Sequence, residues 1–258
     1  MKIGLVGFAG SGKTTVFNTM TGLDIPVGYG GDVRLGTVRV PDKRIDALTN
    51  IFLPKKRTYA EISFCDVPGE HGSHKKGLSP RGLQQIRDQE ALCLVLQDFD
   101  NPALEGTPDP LLDLESFHTE CVFADLEIIE KRLDRARKEQ ADAHEIATFE
   151  LAQANLEAER PLRLIPDADL DRSLIKGYGI LSDRPLLVVV NRDEEHASDP
   201  LTGRLDARIR EFGAAGLTLC ASIEADIAGM EPGDQEEFLA DLGLKESALS
   251  RFIRSAYE

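Results

Sequence analysis

Eight residues near the start of the chain, Gly7-Phe8-Ala9-Gly10-Ser11-Gly12-Lys13-Thr14, have the composition and spacing of a loop that grips phosphate. Glycines let successive backbone N–H groups turn toward one anion, and a helix starting behind them adds roughly half a positive charge. Lys13 is placed to reach the outer phosphates of a nucleoside triphosphate, and the Thr14 hydroxyl to ligate magnesium. Thr15, next in line, completes the set of loop residues expected to touch nucleotide. An apolar segment, Ile3 to Val6, runs into the loop, and the residues to Met20 continue as a helix. That strand–loop–helix context is what the motif needs. The alternative, a chance glycine-rich turn, leaves the lysine and the threonine unexplained.

Two further clusters belong to the same chemistry. Asp66-Val67-Pro68-Gly69 follows the apolar run Ile62 to Cys65. In switch-type NTPases an aspartate there holds magnesium, and the glycine amide, here Gly69, contacts the γ-phosphate. Asn191-Arg192-Asp193-Glu194 follows Leu186 to Val190, where the base is read. GTP-specific switches use N-K-x-D at this place. Here Arg192 replaces the lysine, and Glu194 is one methylene longer than aspartate. An overshooting carboxylate loses a bidentate guanine contact worth about 1–3 kcal/mol, by analogy with base-edge recognition. The Asn191 amide suits N6 and N7 of adenine instead, so ATP is expected to bind at least as well as GTP. Cys220-Ala221-Ser222, after the last strand, is expected to offer backbone amides to the base. A merely charged loop after a buried strand is the bland alternative for residues 191–194.

Catalysis is less legible. Lys13 would stabilise charge on the transferring phosphoryl group. Glu70, directly after Gly69, could accept a proton from the attacking water but would also repel the γ-phosphate; a solvated, non-catalytic Glu70 is the competing reading. His71 and His74 share that stretch, where an exposed histidine is the ordinary outcome. Arg81 and Arg87 are conceivable cationic donors that the sequence does not place.

The elements that must position these groups alternate along the chain. Strands are predicted near Ile3–Val6, Gly36–Val40, Ala60–Cys65, Ala91–Gln97, Pro185–Val190 and Leu217–Ala221. Helices are predicted near Lys13–Thr21, Asp42–Ile51, Gly82–Asp88, Gly203–Phe212, Pro232–Ala240 and Ser247–Tyr257. The pattern is α/β: a mostly parallel six-stranded sheet with helices on both faces. Leu112 to Leu164 differs, being charged, almost free of glycine and apolar at helical spacing (Leu126, Ile129, Leu133; Ile146, Phe149). A helical hairpin inserted at 112–164 between 1–111 and 165–258 is the expected arrangement, with one long packed helix as the alternative.

A length of 258 residues can bury a real core. No apolar run approaches the roughly 18 residues that a membrane span needs, and the first strand starts too early for a secretory signal. The four scattered cysteines, Cys65, Cys93, Cys121 and Cys220, read as reduced thiols, three of them in apolar runs. A cytoplasmic monomer is the expectation. The net charge of −15 argues against nucleic acid lying broadly over the body. Lys55-Lys56-Arg57 and Lys75-Lys76 are the local basic clusters, solvated in the ordinary reading.

Taken together, GLVGFAGSGKTTVFNTMTG, GTVRVPDKRIDAL, IFLPKKRT, FCDVPG, FADLEIIEKRLDRARK, PLLVVVNRDEE, CASIEADIAGM and FLADLGLKESALSRFIRSAYE resemble the YchF or Obg-like ATPase subfamily of Obg-type GTPases. The likeness covers nearly the whole chain and includes N-x-x-E. It implies a Ras-like P-loop domain carrying a coiled-coil hairpin. It also implies binding and slow magnesium-dependent hydrolysis of ATP, often alongside GTP, and partners among ribosomes or stress factors. Three departures stand out. The family continues into a TGS domain where this chain stops. It carries a threonine near Gly30 that would contact magnesium and γ-phosphate. It has a hydrophobic residue at the Glu70 position. A non-catalytic, nucleotide-gated module that works through its hairpin is therefore the rival expectation. A small-molecule kinase would need a lid with clustered arginines, which fits poorly.

Overall fold

The structure, a computed structural model, describes residues 1–26, 34–40, 43–67, 80–104, 106–242, 244, 246, 247 and 250–252. Its six strands are β1 (Lys2–Val6), β2 (Arg34–Arg39), β3 (Glu61–Asp66), β4 (Ala91–Asp98), β5 (Leu186–Arg192) and β6 (Ala215–Leu219). They form one sheet in the order β2-β3-β1-β4-β5-β6. Every pairing is parallel except that of the edge strand β2 with β3. The expected mostly parallel α/β sheet is what the chain builds.

The strands are central because of what they are made of. Residues Leu186 to Val190 are aliphatic without interruption and buried throughout, as a strand covered on both faces requires. Because side chains alternate, neighbours in a strand enter opposite cores. Leu5 and Val189 join Phe17, Phe64 and Phe252 on one face. Val6 and Val188 join Ile86, Phe117 and Phe212 on the other. Phe252 lies against Phe64, ring centroids 5.4 Å apart, so the described end of the chain seals the first core.

Nine α-helices and two short 3-10 helices (Leu162–Leu164 and Lys176–Tyr178) are described. α1 (Lys13–Thr21) follows β1, α2 (Lys43–Phe52) joins β2 to β3, and α3 (Pro80–Arg87) precedes β4. Next come α4 (Pro110–Lys138), α5 (Ala143–Glu157) and the single turn α6 (Arg172–Ile175). α7 (Gly203–Glu211), α8 (Ala221–Ala228) and α9 (Pro232–Asp241) complete the set. The reading of Leu217–Ala221 as strand needs correction: β6 stops at Leu219, and α8 starts at Ala221. The predicted 247–257 helix lies mostly outside the described residues. α2 forms where its amphipathic pattern predicts, yet Leu48, Ile51 and Phe52, with the following Leu53, are exposed.

α4 and α5 run as two helices with a sharp reversal between them. Asp109 caps α4 by accepting from the Leu112 N–H, with Pro110 at the first helical position. Gln140 takes a left-handed φ of 55°, and Asp142 caps α5 through the Glu145 N–H. Leu114, Phe117 and Cys121 near the start of α4 belong to the sheet core. Further along, Val122, Ile129 and Leu133 meet Phe149, Ala152 and Leu156 in a separate core that reaches Ile180. This small core thus extends past the 112–164 span predicted for the insertion.

Candidate nucleotide site

The carboxyl ends of β1, β3, β5 and β6 bring the predicted residues to one edge of the sheet. β1 lies between β3 and β4, where successive connections diverge to either side, the usual place for a crevice in an open α/β sheet. Gly7 to Gly12 leave β1 and turn into α1. Gly12 caps α1 at a left-handed φ of 86°, and a Cβ there would fall 2.3 Å from Asn191 Nδ2. Only glycine satisfies both limits. The Val16 N–H returns to the Gly12 carbonyl. The N–H groups of Lys13, Thr14 and Thr15, in the first turn, have no carbonyl within the helix to receive them.

Lys13 is buried and donates through Nζ to the carbonyls of Gly7 at 2.8 Å and Phe8 at 3.3 Å. An ammonium has three hydrogens, so one remains for a phosphate oxygen. Burial lowers the Lys13 pKa to about 8, against the opposing pull of Asp66. Asp66 ends β3, where burial raises its carboxyl, with Lys13, Arg34 and the Thr14 hydroxyl pulling the other way. Thr14 Oγ1 donates to Asp66 Oδ2 at 3.3 Å, so the two predicted magnesium ligands meet. Asp66 Oδ1 and Ser11 Oγ are buried without a hydrogen-bond partner. An orphaned carboxylate oxygen beside a hydroxyl suits a hard cation. Among the described residues no group of three or more His, Cys, Asp or Glu could hold a metal. The donor set is therefore of the kind that leaves most positions to water and substrate phosphate.

The base-side residues are also brought together. Asn191, 4% exposed, donates through Nδ2 to the Ser11 carbonyl at 3.0 Å. Its Oδ1 accepts from the Ala221 N–H at 3.0 Å. The amide thus clamps the phosphate loop to the start of α8. Each end of the amide makes one backbone bond, which leaves one Nδ2 hydrogen and one Oδ1 lone pair, so reading of adenine N6 and N7 by Asn191 remains a proposal. Arg192 is likewise occupied, with Nε on Asp98 Oδ2 at 3.0 Å and a second nitrogen on the Asp199 carbonyl at 2.9 Å. Asp193 pairs with His196, while Glu194 stands exposed and has no side-chain partner among the described residues. Cys220 and Ala221 are buried, Ser222 is exposed, and Cys220 Sγ lies 3.1 Å from Ser222 Oγ.

Phe8 and Ala9 lie in the loop as predicted. Gly69, Glu70, His71, His74 and Gly30 lie outside the described residues. Four contributors escaped the sequence reading. Asp98 anchors Arg192, Arg34 approaches Asp66, Asn101 donates to the Gly10 carbonyl at 3.4 Å, and Leu104 packs beside Gly10. Arg87, left unplaced, faces away from the loop: it donates to Asp125, to the Gly179 carbonyl at 2.8 Å and to the Ala124 carbonyl.

No protein-family model matches the chain. Over 272 residues, 98% of this chain and 74% of the other, it is 32% identical to a protein of Bacillus subtilis named ribosome-binding ATPase YchF. The protein of the same name from Haemophilus ducreyi is also 32% identical, over 99% of this chain and 75% of its own. The chain belongs to the YchF family. A solved structure, the YchF GTPase of Schizosaccharomyces pombe, superposes with a TM-score of 0.82 at 25% identity. It covers all of this chain and 75% of that one. YchF membership agrees with the sheet order and the phosphate-loop geometry, and makes this a nucleotide-binding P-loop fold. Among the described residues no helix is long and apolar enough to cross a membrane.

Proposed function

We propose that this chain binds ATP or GTP with magnesium, hydrolyses it slowly, and uses the nucleotide state to control association with the ribosome. The Asn191 clamp carries the reading. It joins the phosphate loop at Ser11 to the base-side turn at Ala221, so one side chain spans both halves of a single crevice. Names of relatives, ribosome-binding ATPases, support the partner.

The geometry supports the following roles. The N–H groups opening α1, with the third hydrogen of Lys13, hold the phosphate tail and offset charge that grows on the γ-phosphoryl oxygens. Thr14 and Asp66 would hold magnesium, whose chemistry is to neutralise and orient the outer phosphates. Water is the acceptor. Glu194, exposed and unpaired, is the carboxylate available for a purine's exocyclic amine, and its extra methylene disfavours the guanine edge. No strong base stands beside the loop among the described residues, which fits slow turnover. Glu70 and Gly69 keep the roles proposed from sequence.

Phosphate release measured with and without Lys13→Ala tests this. Magnesium-dependent release that the variant loses is expected, with ATP binding at least as tightly as GTP in competition. Equal release by both proteins, or a hundredfold preference for GTP, overturns the respective part. A second reading, a non-catalytic nucleotide-gated module acting through α4 and α5, is favoured by the Arg87–Asp125 lock between α3 and α4. Tight binding with no release above background would select it.

A further inference from the structure

Asp66 has a second neighbour whose position is set by the sheet. Arg34 opens β2, and the antiparallel register puts it opposite Asp66, the last residue of β3. Its guanidinium lies 3.6 Å from Asp66 Oδ2, the oxygen that also accepts from Thr14. The Arg34 side chain is 25% exposed and that of Asp66 is 3% exposed. Asp66 is the one carboxylate that Arg34 pairs with among the described residues. The pair therefore sits at a boundary, the acid inside and the base at the rim. Lys13 in the loop is the other cation whose charge acts on Asp66.

We propose that Arg34 and the divalent cation compete for Asp66, so that metal loading of the nucleotide site requires the Arg34 guanidinium to withdraw. The inference rests on the nucleotide-site reading and adds a regulatory residue to it. A dication bound through the Asp66 carboxylate would stand within a few ångströms of the guanidinium, and two cations at that spacing repel. The dication gains phosphate oxygens that the guanidinium at the rim reaches less well. Arg34 can yield cheaply, because its long side chain starts on an edge strand and is already a quarter exposed. Until metal arrives with nucleotide, Arg34 offsets the buried Asp66 charge together with Lys13 and the Thr14 hydroxyl. The site thus discriminates against adventitious metal and accepts it with a triphosphate.

A fluorescent ATP analogue, mant-ATP, titrated with magnesium, reads this without turnover. Arg34→Gln is expected to lower the half-saturating magnesium concentration by roughly three- to thirtyfold, between the effect of an exposed and a buried ion pair. Arg34→Lys keeps the charge and should stay within about threefold of the unaltered protein. Manganese binding followed by electron paramagnetic resonance, with no nucleotide present, should tighten in Arg34→Gln and vanish in Asp66→Asn. A midpoint that is unchanged or raised in Arg34→Gln, in protein whose thermal unfolding matches the parent, overturns the competition. Failure of the unaltered protein to bind mant-ATP at any magnesium concentration overturns the nucleotide reading instead. The manganese experiment still decides the role of Arg34 in that case.

Discussion

At Asn191 one side-chain amide holds together two segments that are far apart in sequence. Its donor end engages the Ser11 carbonyl and its acceptor end the Ala221 N–H, in a buried setting where neither group can turn to water. Removing it leaves both backbone groups unpaired at a cost of about 1–3 kcal/mol each. Asn191→Ala should therefore weaken ATP and GTP alike, by at least about tenfold on that scale, and calorimetric titration with each nucleotide checks it. Glu194→Asp should behave differently, shifting preference toward GTP with little change for ATP in the same titration. Loss of one nucleotide only in Asn191→Ala would favour a reading role for Asn191. The phosphate loop was legible because its signal is contiguous: eight residues in a row carry glycine, lysine and threonine at fixed spacing. Arg34 and Asp98 were not. Each acts by lying opposite a site residue in a neighbouring strand, Asp66 and Arg192 respectively, and no local pattern records that pairing.

Between elements, a buried ion pair outside the crevice joins α3 to α4. Arg87, at the end of α3, reaches Asp125 on α4 at 3.1 Å. Asp125 is wholly buried and also accepts from the N–H groups of Leu181 and Ser182 at 3.0 and 2.6 Å. One carboxylate thus fastens α3, α4 and the segment leading to β5. Arg87→Met strands that carboxylate and should lower unfolding free energy by about 3–5 kcal/mol, measured by denaturant titration. The double change Arg87→Met with Asp125→Leu should recover part of the loss, since no buried charge is left unpaired. A single variant as stable as the parent would show that water reaches Asp125. The helix pair α4 and α5 is legible in the sequence from apolar spacing and from the break at 138–142. The start of α8 is not, because Leu219-Cys220-Ala221 is apolar across the change from strand to helix. Likewise α2 has a clear amphipathic pattern, but spacing cannot say that its apolar face is left exposed.

Across the whole molecule, α4 belongs to two cores at once, packing on the sheet at its start and on α5 further along. His118 marks the junction. Its ring stacks on Phe212 at 3.8 Å, and Nε2 lies 2.8 Å from the Glu159 carbonyl just past α5. Burial holds its pKa below the ordinary 6.5. Below that value the unfolded chain takes a proton that the folded chain resists, so stability should fall as pH drops through about 6.5. Thermal midpoints at pH 7.5 and 5.5 should show a fall that His118→Gln reduces. The four cysteines lie in β3, in β4, in α4 and at the foot of α8, and all are buried and outside any disulfide. Burial raises the Cys65 thiol to about 11 and Cys93 and Cys121 further still. The protein consequently carries its own set of opening sensors. Under native conditions an alkylating reagent would mark each sulfur only when its element separates from the rest, and the order of marking would rank which parts of the molecule come undone first.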